Sequence, residues 1–338
     1  MDDLDLLDWR ERVAALYLSD LDLAGCLAYR PELDVPADLD GFWARTLDGG
    51  GDPAAAVYEP VDTGLTQIRT YAATIPGFGG EPVRGWLHLP ANADRPLPCV
   101  VEYLGYGRGR GLPHEKLFWA AAGFAHLIMD SRGQGWSAAT GGTPDPHPYP
   151  AGTVPGFLTR GVADPAEHYY RRLITDAVRF AEAARRHPAV DPARVAVTGF
   201  SQGGGLALAV GALCPDVTAV MPDVPFLCDI RRGVRVAGPD SPYAEVVEYL
   251  ALHRDRADQV FRTLSYLDAA VLAPRATAPA LFSIALRDQV CPPSTCFAAY
   301  HRYGGDKDVR VYEFNDHEGG EAAHQREQLT WLRGILGG

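Results

Sequence analysis

No stretch of this 338-residue chain approaches the ~18 to 20 consecutive apolar residues that a bilayer-spanning helix needs, which argues against membrane association. The first residues, MDDLDLLDWRER, show neither a basic start nor an apolar core, so no secretory leader is visible and the cytoplasm is the expected compartment. Basic clusters are missing too. With 31 Lys and Arg against 43 Asp and Glu, the net charge of −12 has the wrong sign for a polyanionic partner, and no nucleic acid is expected. Cysteine is thinly spread: Cys26, Cys99, Cys214, Cys228, Cys291 and Cys296 do not form a disulfide framework. Cys291 and Cys296 are the one close pair, with no second pair or histidine at zinc-ligand spacing, so all six read as inert thiols. No segment repeats.

What is present suits a soluble globular protein: 47% apolar and 22% charged residues supply ample core. The length fits one large α/β domain with embellishments or two ordinary domains, and the pattern favours one. Residues 1–50 read as a helical extension, with Leu4, Leu7, Val13 and Leu16 on one face and a second helix in DLDGFWARTLDGG. The short alternating runs VYEPV, TQIRTYAATI and VRGWLHLP then predict an antiparallel sheet edge.

From there continuous apolar runs replace alternating ones: PCVVEYLG (98–105), FAHLIMDS (124–131), RVAVTGFS (194–201) and ALFSIALRD (280–288), with VRVYEF (309–314) half alternating. Helical stretches separate most of them, notably 169–186 and 203–214. Apolar strands alternating with helices predict a mostly parallel sheet covered on both faces. Two segments break the alternation. Residues 138–162 form a Pro- and Gly-rich loop far beyond the usual ~4 to 6 residues, a length typical of functional or interface loops. Residues 226–275 read as short helices inserted between strands, placed to cap a site.

The chemistry centres on Gly199-Phe200-Ser201-Gln202-Gly203. A GxSxG pentapeptide alone says little; here a strand leads into it and a small-residue helix leaves it, as a nucleophile elbow requires. Flanking glycines permit the tight turn, and the helix N-terminus favours developing negative charge. A serine hydroxyl needs a base and an orienting carboxylate, which in this fold follow in the order Ser, Asp, His. Asp288 ends ALFSIALRD, and His317 lies in the loop NDHEGG after the last strand. Asp223, in VMPDVP, also follows a strand and competes as the acid. His301 and His324 fall within helical patterns, and a metal set of Asp316, His317, Glu318 and His324 finds no matching ligands elsewhere. The oxyanion needs two donors: the Gln202 amide, and one from the loop Gly105-Tyr106-Gly107.

At these residues the chain resembles carbohydrate esterase family 7, the acetyl xylan esterases and cephalosporin C deacetylases. Arg132-Gly133-Gln134, Gly199-Phe200-Ser201-Gln202-Gly203 and His317-Glu318 carry the resemblance, with DVPFLCDIRR (223–232), FRTLSYLD (261–268) and DQVCPPSTCFAAY (288–300) around them. It implies an α/β-hydrolase fold with Ser201 as nucleophile, His317 as base, Asp288 as its acid, and oxyanion donors at the amides of Tyr106 and Gln202. Arg132 and Gln134 would be structural supports. It further implies no metal or organic cofactor, a small closed acyl pocket, and a homo-oligomer, typically a hexamer, with 138–162 at its interfaces. Trp119, Phe200, Pro225 and Phe226 are the bulky residues expected to wall the pocket. The chain departs from the family at Gly107, often Asn, and at Phe200, where many members have glycine. The expected activity is hydrolysis of small acetyl esters. Other readings are a peptidase or a general short-chain esterase of the same fold, and a binding module that keeps the fold without the reaction.

Overall fold

A computed structural model of the protein describes residues 20–146 and 154–337. The predicted face of Leu4, Leu7, Val13 and Leu16 and the middle of the long loop lie outside them. The expected second helix forms over Leu39–Asp48 and stops at Gly49.

Nine strands make one sheet: β1 Val57–Val61, β2 Ile68–Pro76, β3 Pro82–Pro90, β4 Leu97–Tyr103, β5 Ala125–Met129, β6 Val190–Phe200, β7 Ala219–Asp223, β8 Ala280–Ala285 and β9 Lys307–Tyr312. Their order is β1-β2-β3-β5-β4-β6-β7-β8-β9. The first three strands run antiparallel and join at β5, and all pairings beyond are parallel. This is the α/β-hydrolase arrangement. β7 is the short strand Ala219–Asp223, and it ends on Asp223 itself.

Strand periodicity decides which helix each residue meets. Successive side chains point to opposite faces. Thus Cys99, Val101, Val195 and Val197 pack with Leu173, Ile174, Leu206 and Ala209 of the helices Tyr169–Arg186 and Gln202–Leu213. Their neighbours Val100 and Ala196, with Met221 and Leu281, face Trp119 of the short helix Phe118–Ala121 and Leu332 of the final helix, Glu321–Leu336. Covered on both faces, β4 and β6 need no polar alternation, which is why they read as continuous apolar runs.

The parallel strands all end at one rim, where the loops after β4, β6, β7, β8 and β9 converge. Between β7 and β8 come the short helices Ile230–Val236, Ala244–Leu252, Ala257–Ser265 and Ala269–Leu272. Among the described residues no helix is long and apolar enough to cross a membrane.

Candidate active site

β6 delivers Ser201 to the rim on a strained turn. Its φ of 57° and ψ of −117° lie where a non-glycine residue is seldom found, a cost of about 1–3 kcal/mol that surrounding structure must hold. Three backbone hydrogen bonds do so: the Ser201 amide donates to Asp223 (2.9 Å), while its carbonyl accepts from Gly205 (3.1 Å) and Phe226 (2.9 Å). The glycines are obligatory for space. A Cβ on Gly199 would stand 2.3 Å from the Gly203 carbonyl carbon, and one on Gly203 would stand 2.1 Å from the Tyr103 oxygen.

His317 reaches Ser201 from the loop after β9. Its Nε2 lies 3.0 Å from the Ser201 Oγ, and its Nδ1 lies 2.9 Å from the Asp288 Oδ2. The other Asp288 oxygen accepts the amides of Val290 (2.8 Å) and Cys291 (2.7 Å), which fixes the carboxylate's orientation. Asp288 sits three residues past the end of β8 at Ala285, in the following turn rather than on the strand as the sequence suggested. Burial pushes its carboxyl above the usual range, against the opposing pull of the His317 bond and the two amides. With Nδ1 bonded to a carboxylate, the tautomer that leaves Nε2 free to accept the serine proton is the favoured one.

Asp223 does not join this chain. Its carboxylate takes the Ser283 hydroxyl, and burial raises it to about 6, with Ser283 and nearby His317 pulling the other way. Of the two carboxylates, Asp288 alone bonds the imidazole among the described residues.

Asp288, Cys291 and His317 bring their ligand atoms within 4.8 Å of one another, close enough to share an ion. The carboxylate and imidazole are bonded to each other, however, and burial raises the Cys291 thiol well above its ordinary range, which keeps it protonated. Asp316, Glu318 and His324 do not gather with His317; His324 instead bonds the Tyr312 hydroxyl at 3.0 Å. All six cysteines are free and buried.

Two loops carry the expected oxyanion donors. Neither the Tyr106 nor the Gln202 amide donates to another described residue, so both are free to receive a negative oxygen. Gln134 ties the two loops together: its oxygen accepts the Gly107 amide at 2.7 Å, and its nitrogen donates to Gln202 (2.8 Å) and Tyr169 (2.9 Å). Arg132 sits in a buried ion-pair group beneath, bonded to Asp176 at 2.6 and 2.8 Å and to Glu81 at 2.7 Å. Gln134 thus braces the turn directly, whereas the Arg132 side chain bonds Asp176, Glu81 and Asp145 rather than the turn itself.

Of the four bulky residues, Phe200 and Trp119 lie apart from Phe226. Phe200 lies against the His317 ring, 4.9 Å between centroids, and shares a cavity with Trp119, Asp223 and Glu321. Phe226 is elsewhere, packed on Tyr243 (4.5 Å) and Tyr106 (6.4 Å). Phe200 is the last residue of β6, whereas Ser201 already belongs to the turn at φ 57°. Sequence reasoning also missed Cys291, whose sulfur is 3.9 Å from the Ser201 Oγ, and Glu245, which bonds the Tyr106 hydroxyl. No local motif marks either residue.

Comparison with known proteins matches this chain to a family. Residues 16–335 match the family described as Acetyl xylan esterase (AXE1). An acetyl xylan esterase from Paenibacillus sp. R4 superposes with a TM-score of 0.85 at 37% identity, covering 93% of this chain and 99% of that one. Acetyl xylan esterase 1 from Thermoanaerobacterium sp. JW/SL YS485 gives 0.85 at 31%, covering 94% and 99%. Acetyl esterase Axe7A of Xylanibacter ruminicola is 26% identical over 312 residues, 90% of this chain and 68% of that protein. An acylaminoacyl peptidase from Pyrococcus horikoshii, at 16% identity and a TM-score of 0.54 over 83% of this chain and 41% of its own, shares the fold alone.

Proposed function

The chain belongs to the acetyl xylan esterase family, and from that premise we propose that it hydrolyses acetyl esters of small carbohydrates through an acetyl-Ser201 intermediate. The observation that carries this reading is the continuous hydrogen-bonded chain from Ser201 through His317 to Asp288, at 3.0 and 2.9 Å, on a turn of positive φ.

Ser201 Oγ attacks the acetyl carbonyl carbon while His317 Nε2 takes its proton. The carbonyl oxygen becomes an oxyanion on the amides of Tyr106 and Gln202, at the N-terminus of the Gln202–Leu213 helix. Collapse expels the sugar alkoxide, which leaves with the proton from His317. Water then attacks the acetyl-serine by the same route, His317 taking its proton and returning one to Ser201, and acetate departs. Asp288 holds the imidazole tautomer and offsets its transient positive charge.

Acetates of the cephalosporin C type fall within the same reading, as do a closed homo-oligomer, hexameric by resemblance, and a cytoplasmic location. The exposed Val154, in the long loop, is the kind of surface such an assembly covers. Sedimentation at micromolar concentration tests the assembly, and a monomer overturns it.

The substrate reading is tested by kcat/KM on nitrophenyl acetate, propionate and butyrate beside a chromogenic peptide. One methylene in a fitted pocket changes kcat/KM by roughly 10- to 200-fold, so acetate is expected to exceed butyrate by at least about tenfold. A series rising toward butyrate, or efficient peptide cleavage, removes the deacetylase reading and leaves the triad standing.

A further inference from the structure

Tyr106 enters the reaction through its amide, yet its side chain has a separate and elaborate set of partners. Its hydroxyl donates to Glu245 Oε1 and accepts the amides of Gly156 and Phe157, both at 3.2 Å. The Glu245 carboxylate also takes the Gly156 amide on Oε1 and the Leu158 amide on Oε2, each at 2.9 Å. Glu245 stands on the Ala244–Leu252 helix of the insertion between β7 and β8, 139 residues from Tyr106. One carboxylate therefore gathers the loop after β4, the segment at 156–158 and the insertion.

The packing makes this junction directional. The Tyr106 ring meets Trp136 edge-on at 5.4 Å and Phe157 at 6.1 Å, so the tyrosine cannot swing without displacing both aromatics. On its other side the next peptide is held by Gln134, which accepts the Gly107 amide at 2.7 Å, and Gly107 itself has φ 76°. Tyr106 is thus fixed at its ring tip and at the following peptide, and its own amide has little freedom left.

We propose that Glu245 is a positioning residue for the reaction: through the Tyr106 hydroxyl and the amides of 156–158 it sets where the Tyr106 amide meets the oxyanion. The proposal rests on the reading of that amide as an oxyanion donor. A carboxylate suits the post because it is acceptor-only and faces three donors. Glutamine offers one acceptor oxygen, and its amino group would meet an N–H or O–H.

The test uses Glu245→Gln, Tyr106→Phe and the double variant, with kcat, KM and affinity for an alkyl boronic acid, which forms a tetrahedral adduct on serine. Loss of an oxyanion donor lowers kcat by about 10²–10³-fold, and displacement of one is expected to lower it by roughly 10- to 100-fold with KM little changed. Boronate affinity should fall in parallel. Because both substitutions cut one linkage, the double variant should be no slower than the slower single within about threefold. If folded Glu245→Gln keeps kcat within about threefold of wild type, or the two effects multiply, the proposal is wrong. Should Glu245→Gln not fold, Tyr106→Phe decides alone: an unchanged kcat overturns the proposal and a parallel loss of kcat and boronate affinity supports it. Fluorophosphonate labelling of the wild type separates the underlying reading, since failure to label Ser201 removes the serine mechanism whatever Glu245 does.

Discussion

Two buried groups of charged and polar side chains lie close together in this protein and serve opposite ends. Around Arg132 every charge is met. The guanidinium forks onto Asp176 at 2.6 and 2.8 Å, reaches Glu81 at 2.7 Å and lies 3.4 Å from Asp145, which Arg172 holds at 3.1 and 2.9 Å. Burial works against the Arg132 charge, and the carboxylates around it more than reverse that. The Ser201–His317–Asp288 chain starts from an equally buried carboxylate, 1% exposed, but opens toward solvent: the His317 side chain is 24% exposed. Its serine end meets the imidazole and, weakly, one sulfur. The closed group pairs its charges with one another and presents none of them to a substrate. An open chain leaves a hydroxyl, with an imidazole beside it, for a substrate to complete. Removing a member of the first should therefore cost stability, and removing a member of the second should cost rate.

The largest expected effect is Ser201→Ala, which should lower hydrolysis by roughly 10⁴-fold or more in a folded protein, because triad members act as a unit. Rates on nitrophenyl acetate check it, and a variant retaining more than about a tenth of the wild-type rate would show that Ser201 is not the nucleophile.

Next is Asp288→Asn, which keeps the shape but favours the wrong imidazole tautomer, with an expected loss of about 10⁴ in kcat. Asp223→Asn should cost less than about tenfold, since Asp223 bonds Ser283 rather than His317. A reversed ranking in folded proteins reassigns the acid.

On the closed side, Arg132→Met should destabilise by roughly 3–5 kcal/mol, because Asp176 is left as a buried charge without its guanidinium, while Asp145 keeps Arg172. Urea unfolding measures this, and kcat per folded molecule should stay within about a factor of ten. A kcat collapse without loss of stability would erase the distinction between the two groups.

The smallest effect concerns pH. His168 caps the Tyr169–Arg186 helix: its Nδ1 accepts the Tyr170 amide at 3.1 Å, and its Nε2 donates to the Leu158 carbonyl at 3.1 Å. A second proton would sit on Nδ1 facing an N–H, and burial lowers this imidazole from 6.5 to about 4. Between those values the unfolded chain binds more protons than the folded one, so stability falls as pH drops from 6.5 toward 4. His168→Asn keeps a capping acceptor and should flatten that dependence by up to about 1.4 kcal/mol per pH unit. Urea midpoints at neutral and mildly acid pH check it; an unchanged slope means the histidine is not the acid-sensitive group.

Much of the candidate site's geometry was legible because its requirements are local. Gly199 and Gly203 bracket Ser201 since no Cβ fits beside either, and that steric demand is written within five residues. Strand and helix runs were legible for a similar reason: β4, β6 and β8 are covered on both faces, and the Tyr169–Arg186 helix keeps its apolar stripe over eighteen residues. The pocket wall was not legible: Trp119, expected to help form it, packs with Val100, Phe124 and Leu332. Bulk and nearness in sequence do not say which face of a sheet a ring occupies.

By itself the sequence determined the elbow, the order of Ser201, Asp288 and His317, and the alternation that lays strands side by side. These follow from short-range sterics and periodicity, which act between residues a few positions apart. Tertiary structure alone decided that His317 takes Asp288 and leaves Asp223 to Ser283. It alone brought Gln134 between Gly107 and Gln202, and Glu245 to the Tyr106 hydroxyl. A hydrogen bond has a reach of about 3 Å and strict direction. Its partner is therefore chosen only once β-strand order and the connecting loops have carried distant residues to the same rim.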